Sequence, residues 1–452
     1  MEITKTKKRK RFYREAFQMA WPSVLESFFI ALAGMIDTMM VGSLGNFAIA
    51  AVGLTTQPKF LGLTVFFAIN VAVSALVARR LGEDDKKGAN EVYHTAMIIS
   101  LALCVIITLI CLLFSEQIMT LSGSNEDTHV ASVQYFNIIM GGMIFNVIAM
   151  CINAAQRGSG NTRIAFVTNL VSSLINILFN YLLIGGNMGF PKLGVAGAAI
   201  ATVLGTIIAM IMSIISLYNK NSFIQLSYII ENKIKITLEA TKSIAHLASN
   251  LFIENIAMRI GFLVTAITAA KLGTDAFAVH NAGMNLLNLG FSFGNGMQVA
   301  AVALSGKALG EGKTDDAIYY GNVSQKIGLT ISILLSIFLF AFGRQIMDIY
   351  FDDEYVINKG IMVTRFIMII VLLQISQIIY GGCLRSGGDV KYTLIAGIIS
   401  VTIIRSLVTL VLVNQYNLGL EGIWIGILTD QLSRFVLLKH RFDTGKWTTI
   451  KI

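Results

Sequence analysis

The chain has 452 residues, of which 55% are hydrophobic and only 13% are charged, and its mean hydropathy is +0.70. A soluble globular surface needs about a quarter charged residues, so the composition argues against a soluble globule, a disordered chain and a nucleic-acid binder, despite the net charge of +9. It indicates an integral membrane protein. With only three prolines and no alternating ten-residue strands, the chain is predicted to cross the bilayer as helices.

Twelve apolar stretches are each long enough to cross about 30 Å of hydrocarbon at about 1.5 Å per residue. In chain order, their approximate cores are residues 15–42, 50–77, 92–114, 131–155, 164–185, 195–218, 244–269, 277–304, 320–342, 357–383, 392–413 and 420–438. The predicted fold class is therefore an all-α integral membrane protein with twelve transmembrane helices.

Lysine and arginine are distributed unequally between the two sides of these spans. The side of the N-terminus carries 26 of them, and the opposite side carries only Lys192, Lys271, Arg344 and Lys359. Because cytoplasmic loops carry the excess of basic residues, both termini are predicted to lie in the cytoplasm of a multi-pass protein of the inner cell membrane. The basic excess is thus explained by topology, and no nucleic-acid partner is expected.

Short motifs recur at one offset along the chain, which indicates a tandem repeat. An offset of 228 residues relates Leu44-Gly45 to Leu272-Gly273, and also relates the turn that begins at Arg157 to the turn that begins at Arg385. The offset falls to 225 at Leu193 and Leu418, before the last span of each half. Six is an even number, so both halves start from the cytoplasm and the repeats are parallel, with a cleft between them that suits a carrier.

The repeat predicts five regions. These are a basic cytoplasmic N-terminus at 1–14, an N-terminal six-helix lobe at 15–218, a cytoplasmic linker at 219–241, a C-terminal six-helix lobe at 242–440 and a cytoplasmic C-terminus at 441–452.

An ionisable side chain within a span costs free energy and is a functional hypothesis by default. Asp37 lies in the first span, and its counterpart in the second half is Thr265, so the acid belongs to one half only. Asn176 and Asn180 are four residues apart and share a face of the fifth span, and Thr202 lies on the sixth. If these faces converge on Asp37, their oxygens could bind a small cation or a proton. A hydrogen-bonded structural acid is the alternative.

Four further positions within or near the spans are also singled out. Glu26 has Glu254 as its counterpart, so the two acids are either a symmetric packing feature or a pair of cleft acids. Pro22 removes a backbone hydrogen bond from the first span and is either a conformational hinge or a static kink. Asp430, in the twelfth span, is expected to extend towards the membrane interface.

Together the motifs resemble the multidrug and toxic compound extrusion (MATE) family, from about Arg11 to Ile452. The motifs that carry the resemblance are Trp21-Pro22 with Asp37-Thr38, the turn Gln156-Arg157-Gly158-Ser159-Gly160, the segment Gly194-Val195-Ala196-Gly197-Ala198-Ala199, the turn Leu384-Arg385-Ser386-Gly387-Gly388-Asp389, and Gly445-Lys446-Trp447. The resemblance implies two six-helix lobes around a V-shaped central cleft. It also implies a secondary active transporter that exports organic, often cationic and amphipathic, compounds in exchange for H⁺ or Na⁺ by alternating access.

The resemblance also assigns roles to residues. It implies that Asp37 is the coupling acid, with Asn176, Asn180 and Thr202 around it as a site for H⁺ or Na⁺. One common family pattern has a second aspartate at the position of Asn180, and its loss weakens the case for sodium.

The tenth span carries Gln374 and Gln377 and no acid before Arg385, which argues against an ion site in the C-terminal lobe like that of other subfamilies. With Glu26 and Glu254, these glutamines are candidates for the cleft and its substrate. This pattern is nearer to the DinF-like branch. No resident cofactor is expected, the partners are small-molecule substrates and the lipid bilayer, and the protein is expected to be a monomer.

Two other function classes fit the sequence less well. A flippase for a lipid-linked sugar or another amphipathic lipid would need a strongly cationic cleft, whereas Asp37, Glu26 and Glu254 indicate an acidic or mixed one. A membrane enzyme is not expected, because the five histidines show no HExxH or paired ligand spacing and no P-loop is present.

Overall fold

A computed structural model describes residues 2–219, 222–351 and 353–450. Every regular element in these ranges is helical, as the composition predicted. The chain divides into two compact units. Leu25–Ala248 is called the first unit here, and Met1–Val24 together with Ser249–Ile452 is called the second unit.

The first half of the chain forms nine α-helices and a 3₁₀ turn at Asn187–Gly189. The helices are α1 (Glu2–Gly42), α2 (Asn46–Gly82), α3 (Lys86–Leu113), α4 (Ser115–Leu121), α5 (His129–Gly141), α6 (Met143–Gly158), α7 (Thr162–Gly185), α8 (Gly194–Ser216) and α9 (Leu226–Glu231). The predicted linker contains α9 and is held against α3. The Gln225 backbone N–H donates to Asn90 Oδ1 at 3.0 Å, and Lys86 Nζ donates to Gln225 Oε1 at 3.0 Å.

The second half forms seven α-helices, one π-helix and a 3₁₀ turn at Lys446–Thr449. The α-helices are α10 (Leu238–Lys271), α11 (Thr274–Gly310), α12 (Thr314–Tyr350), α13 (Glu354–Ser386), α14 (Val390–Gly397), α15 (Ser406–Asn414) and α16 (Gly419–Asp443), and the π-helix Ile398–Arg405 lies between α14 and α15.

The two halves repeat one arrangement of helices. Both ends of α11 lie 228 residues after the corresponding ends of α2. The turns that precede these helices also match, because Gly45 and Gly273 both have φ +110°, a conformation that favours glycine. The turns before α7 and α14 agree in the same way, with φ +86° at Gly160 and φ +85° at Gly388. The structure therefore confirms the predicted tandem repeat.

The described residues contain nine helical segments that are long and apolar enough to cross a membrane, or ten if the bent pair α5 and α6 is one span. The other two predicted spans correspond to α11 and α16, which have 37 and 25 residues and are long enough to cross about 30 Å. They are less apolar because they carry polar side chains: Asn281, Asn285, Asn288 and Asn295 on α11, and Glu421, Asp430 and Arg434 on α16. The twelve-span prediction is thus confirmed in part.

The helix α13 forms the centre of the second unit. Its most apolar stretch is 78% buried, whereas the corresponding stretch of α12 is only 22% buried. Ile367, Ile370 and Ile375 of α13 belong to the main core cluster of this unit, together with Trp424 of α16. Polar side chains on α13, Gln374 and Gln377 among them, are therefore enclosed by other helices of the second unit.

Candidate ion-coupling site

The four residues predicted to surround the coupling ion form one chain of hydrogen bonds in the first unit. Asn180 Nδ2 donates to Asp37 Oδ1 at 2.5 Å and lies 3.5 Å from Asn176 Oδ1. Asn176 Nδ2 in turn donates to Thr202 Oγ1 at 3.1 Å, and that hydroxyl donates to the carbonyl of Ala198 at 3.0 Å. The structure thus brings together α1, α7 and α8 at the predicted residues.

Small residues on α8 allow this chain to form. A Cβ atom at Gly205 would lie 2.8 Å from the carbonyl oxygen of Ser172 and 3.3 Å from Asn176 Cβ, so α8 lies directly against α7. Ala198, four residues before Thr202 on α8, is fully buried. Close approach of two helices at small residues is common within membranes. Here it brings the Thr202 hydroxyl within reach of the Asn176 amide.

Two residues beside the site were not assigned to it from the sequence. Tyr135 of α5 is buried, lies beside Thr202 and interacts electrostatically with Asp37. The ammonium group of Lys59 on α2 also interacts electrostatically with Asp37. At the offset of 228 the counterparts of Tyr135 and Lys59 are Val363 and Leu287. Both residues thus belong to one half only, the same signal that singled out Asp37.

The site contains one carboxylate, and the amide and hydroxyl groups beside it can each donate or accept a hydrogen bond. An asparagine amide donates through Nδ2 and accepts through Oδ1, and a hydroxyl does both. Asn180 Oδ1 is buried and has no hydrogen-bond partner among the described residues, so it can accept a hydrogen bond or bind a cation. No group of three or more His, Cys, Asp or Glu side chains converges in the described part of the chain. The chemistry suits H⁺ or Na⁺ rather than a transition metal.

Glu26 forms an ion pair elsewhere in the first unit. Its carboxylate accepts hydrogen bonds from Arg157 and, at 2.6 Å, from Asn169 Nδ2. Glu26 is only 5% exposed, and a buried charge requires such a partner. The partner comes from the turn Gln156-Arg157-Gly158-Ser159-Gly160 that the sequence analysis singled out.

Glu254 has the same arrangement in the second unit. Its Oε1 accepts from Arg385 at 2.8 Å and from Arg434 at 2.7 Å, and its Oε2 accepts from Thr393 at 3.3 Å. Arg385 lies 131 residues after Glu254, as Arg157 lies 131 residues after Glu26. The pair is thus duplicated with the repeat, which supports the symmetric packing interpretation, and the charge of each acid is compensated within its own unit.

The two glutamine candidates lie inside the second unit. Gln377 Nε2 is 3.4 Å from Gln431 Oε1, whereas neither polar side-chain atom of Gln374 has a partner among the described residues. Gln431 Nε2 also donates to Asp430 at 3.3 Å. The prediction that Asp430 extends to the membrane interface is wrong, because this carboxylate is fully buried and accepts a hydrogen bond from Arg405 Nη1 at 3.4 Å. A guanidinium on the neighbouring helix replaces the water that the acid would otherwise have to reach.

Pro22 lies inside α1, which continues from Glu2 to Gly42. Its side chain is buried. The helix is thus not broken at this position, and the function of Pro22 as a hinge stays a prediction.

A model of the MatE family matches residues 22–182 and 251–411, once in each half. The chain belongs to the MatE family. This MatE protein is consequently a membrane transporter and not an enzyme.

Relatives of this MatE protein cover nearly its whole length. The probable multidrug resistance protein NorM of Thermotoga maritima is 26% identical over 435 residues, which cover 96% of this chain and 93% of the relative. The uncharacterized transporter YisQ of Bacillus subtilis is 23% identical over 433 residues, which cover 95% and 94%.

Solved structures of MATE and MOP superfamily transporters have the same fold as this chain. An outward-facing multidrug resistance MATE family transporter of the MOP superfamily matches with a TM-score of 0.88 at 22% identity, over 96% of this chain and 97% of that one. A MOP superfamily transporter from Pyrococcus furiosus matches with a TM-score of 0.88 at 24% identity, over 96% and 97%. The MatE protein therefore has the all-helical MATE fold.

Proposed function

We propose that this chain is a secondary active multidrug efflux transporter that exchanges organic, often cationic and amphipathic, compounds for H⁺ or Na⁺ by alternating access. Membership in the MatE family supports this proposal, and so do the names of the relatives that describe multidrug resistance proteins. The observation that carries it furthest is the hydrogen-bonded chain from Asp37 through Asn180 and Asn176 to Thr202.

Asp37 carries the coupling ion in this proposal. A carboxylate within a span costs free energy that a purely structural role could avoid, and in this chain it is present in one half only. Desolvation opposes the carboxylate, whereas the N–H of Asn180 stabilises it. If the Asn180 amide rotates, Oδ1 replaces Nδ2 and can accept a hydrogen bond from the protonated acid. The site can thus hold Asp37 in either state.

Coupling requires that the ion bind more tightly to one conformation than to another, because a ligand shifts an equilibrium only by that difference. Asp37 on α1 is linked to α7 and α8 through amide and hydroxyl groups alone. A small movement of α1 relative to α7 would exchange a donor for an acceptor at the carboxylate. That exchange would change the affinity of Asp37 for the ion. Ion binding would therefore favour one conformation of the transporter over the other.

The finer features of this function are also proposals. The 26 basic residues on the side of the N-terminus against four on the other support cytoplasmic termini. Asn180, at a position where one common family pattern has aspartate, supports the DinF-like branch and favours H⁺ over Na⁺ as the coupling ion. We expect the transporter to act as a monomer.

The proposal is tested with purified protein in proteoliposomes. Efflux of a monovalent cationic dye is followed while a pH gradient or a Na⁺ gradient is imposed, one at a time. Dye export that follows the pH gradient alone is expected, and export that follows the Na⁺ gradient alone would identify sodium as the coupling ion.

A second assay in the same vesicles tests the flippase alternative. The same vesicles are loaded with a fluorescent lipid-linked sugar, and its movement between leaflets is measured. Scrambling of this lipid without any gradient-driven dye export would replace the efflux proposal by the flippase interpretation.

A further inference from the structure

A buried ion pair in the second unit has no part in the proposed coupling site. Arg405 and Asp430 are both completely buried, and Arg405 Nη1 lies 3.4 Å from Asp430 Oδ2. Arg405 Nη2 donates to Thr265 Oγ1 at 3.3 Å, and the guanidinium lies 4.5 Å from the centre of the Phe262 ring. An arginine side chain stays protonated in proteins, so this unit holds a permanent cation in its interior.

The position of Arg405 in the repeat follows from the length of its span. Thr162–Gly185 has 24 residues, whereas the corresponding segment Val390–Asn414 has 25. The π-helix Ile398–Arg405 accommodates the additional residue. At the end of this π-helix the offset between the halves is therefore 229 rather than 228, which makes Arg405, its last residue, the counterpart of Asn176.

Helix packing agrees with this register. A Cβ atom at Gly197 would lie 2.6 Å from the carbonyl oxygen of Leu183, and one at Gly422 would lie 3.0 Å from Leu412 Cβ. Gly422 follows Gly197 by 225 residues, and Leu412 follows Leu183 by 229. The same pair of helices thus meets at the same place in both units.

The remaining members of the pair also have counterparts at the Asp37 site. Thr265, which binds Arg405, occupies the position of Asp37 itself. Asp430 occupies the position of Gly205, the residue that packs against Asn176. In the first unit a carboxylate therefore binds the amide of Asn180, which in turn lies beside Asn176. At the equivalent place in the second unit, the carboxylate of Asp430 binds the guanidinium that stands in place of Asn176.

We propose that the Arg405 guanidinium is a tethered cation, which fills in the second unit the place that the transported ion takes in the first. Asp430 is its fixed counter-ion, so the second unit carries no transported ion and each cycle is coupled to one ion through Asp37. This inference rests on the proposed function, because Asp37 must be the coupling acid for the comparison to hold.

The surroundings of the pair support a fixed cation. Arg434 and Gln431 also face Asp430, the latter with an N–H at 3.3 Å. His280 is within electrostatic range of Arg405. One nitrogen–oxygen contact, from Arg405 Nη1 to Asp430 Oδ2, joins the two residues. Arg405 Nε and Asp430 Oδ1 have no hydrogen-bond partner among the described residues. Asp430 thus keeps an oxygen that could bind a cation if Arg405 were removed.

Infrared difference spectroscopy of the complete, detergent-solubilised transporter tests this directly, because the C=O stretch of a protonated carboxyl group appears on acidification. We compare the wild type with Asp37→Asn, Arg405→Gln and the double variant Arg405→Gln with Asp430→Asn. Arg405→Lys, which retains a cation, is the matched control and should give the wild-type spectrum.

The wild-type band should shrink by one carboxyl group in Asp37→Asn and should be unchanged in the double variant. Arg405→Gln should gain one carboxyl band, because Asp430 then takes a proton in place of the guanidinium. The band is sought both in the difference spectrum and in the absolute spectrum, where a group that is already protonated at the starting pH is visible, and it should be absent from the double variant. The double variant leaves no unpaired buried charge, so it still decides the question if Arg405→Gln does not fold.

A wild-type band that shrinks in the double variant would overturn the proposal, because Asp430 would then titrate beside Arg405. A folded Arg405→Gln protein without an additional band would overturn it as well. Failure of the proposed function has a different signature: the Asp37→Asn spectrum and its dye export would both equal those of the wild type.

Discussion

Substitution of Gly205 by alanine tests whether the contact between α7 and α8 builds the coupling site. The added methyl group would lie 2.8 Å from the carbonyl oxygen of Ser172, whereas such carbon–oxygen contacts are normally about 3.4 Å. The helices must therefore separate by roughly 0.6 Å. The Asn176 Nδ2 to Thr202 Oγ1 distance of 3.1 Å would then become roughly 3.7 Å, which is beyond hydrogen-bond range. Loss of this bond costs about 0.5–1.5 kcal/mol, so gradient-driven efflux should fall roughly two- to tenfold.

The assay compares uphill dye efflux per molecule of folded protein with the thermal midpoint in detergent. Gly53→Ala is the matched control, because no atom lies within 4 Å of a Cβ at that position of α2. We expect Gly53→Ala to resemble the wild type in both measurements. If Gly205→Ala also transports like the wild type, the packing of α8 on α7 does not set the geometry of the site.

Three other substitutions probe separate parts of the account. Asn180→Leu removes the N–H that binds Asp37, a bond to a charged group worth about 1.5–3 kcal/mol, so uphill dye efflux should fall at least tenfold. Trp447→Ala removes a ring stacked on Phe442 and should lower the free energy of unfolding by about 3–5 kcal/mol, measured by denaturant unfolding in detergent. Ser124→Cys should react with an impermeant maleimide from outside the cell, whereas the four native cysteines are buried and should not; labelling from the cytoplasmic side alone would contradict the topology.

The sequence predicted most of the residues that the structure brings together at the candidate site of the first unit, because two regularities were sufficient. A spacing of four residues placed Asn176 and Asn180 on one helical face, and the offset of 228 showed that Asp37 has no acidic counterpart. The offset also relates Arg157 to Arg385, so the duplicated ion pairs with Glu26 and Glu254 could have been found by the same test. The proximity of Tyr135 to Asp37 could not, because it depends on how α5 packs in three dimensions.

The pair in the second unit was missed for a different reason. A single additional residue within the π-helix Ile398–Arg405 changes the offset, and at a constant offset of 228 Arg405 would be matched to Ile177 rather than Asn176. Asp430, considered alone in a span, was therefore interpreted as an interfacial residue. Burial of an acid becomes understandable only when the guanidinium that faces it is known.

Asp37→Asn in proteoliposomes tests whether Asp37 carries the coupling ion, since asparagine retains the shape of the side chain but cannot ionise. Asp348→Asn, at an exposed acid on α12, is the matched control and should transport like the wild type. We expect Asp37→Asn to fold with a wild-type thermal midpoint and to lose gradient-driven dye efflux. Uphill export by Asp37→Asn with the wild-type gradient dependence, at equal protein levels, would contradict the account and make Glu26 or Glu254 the next candidate.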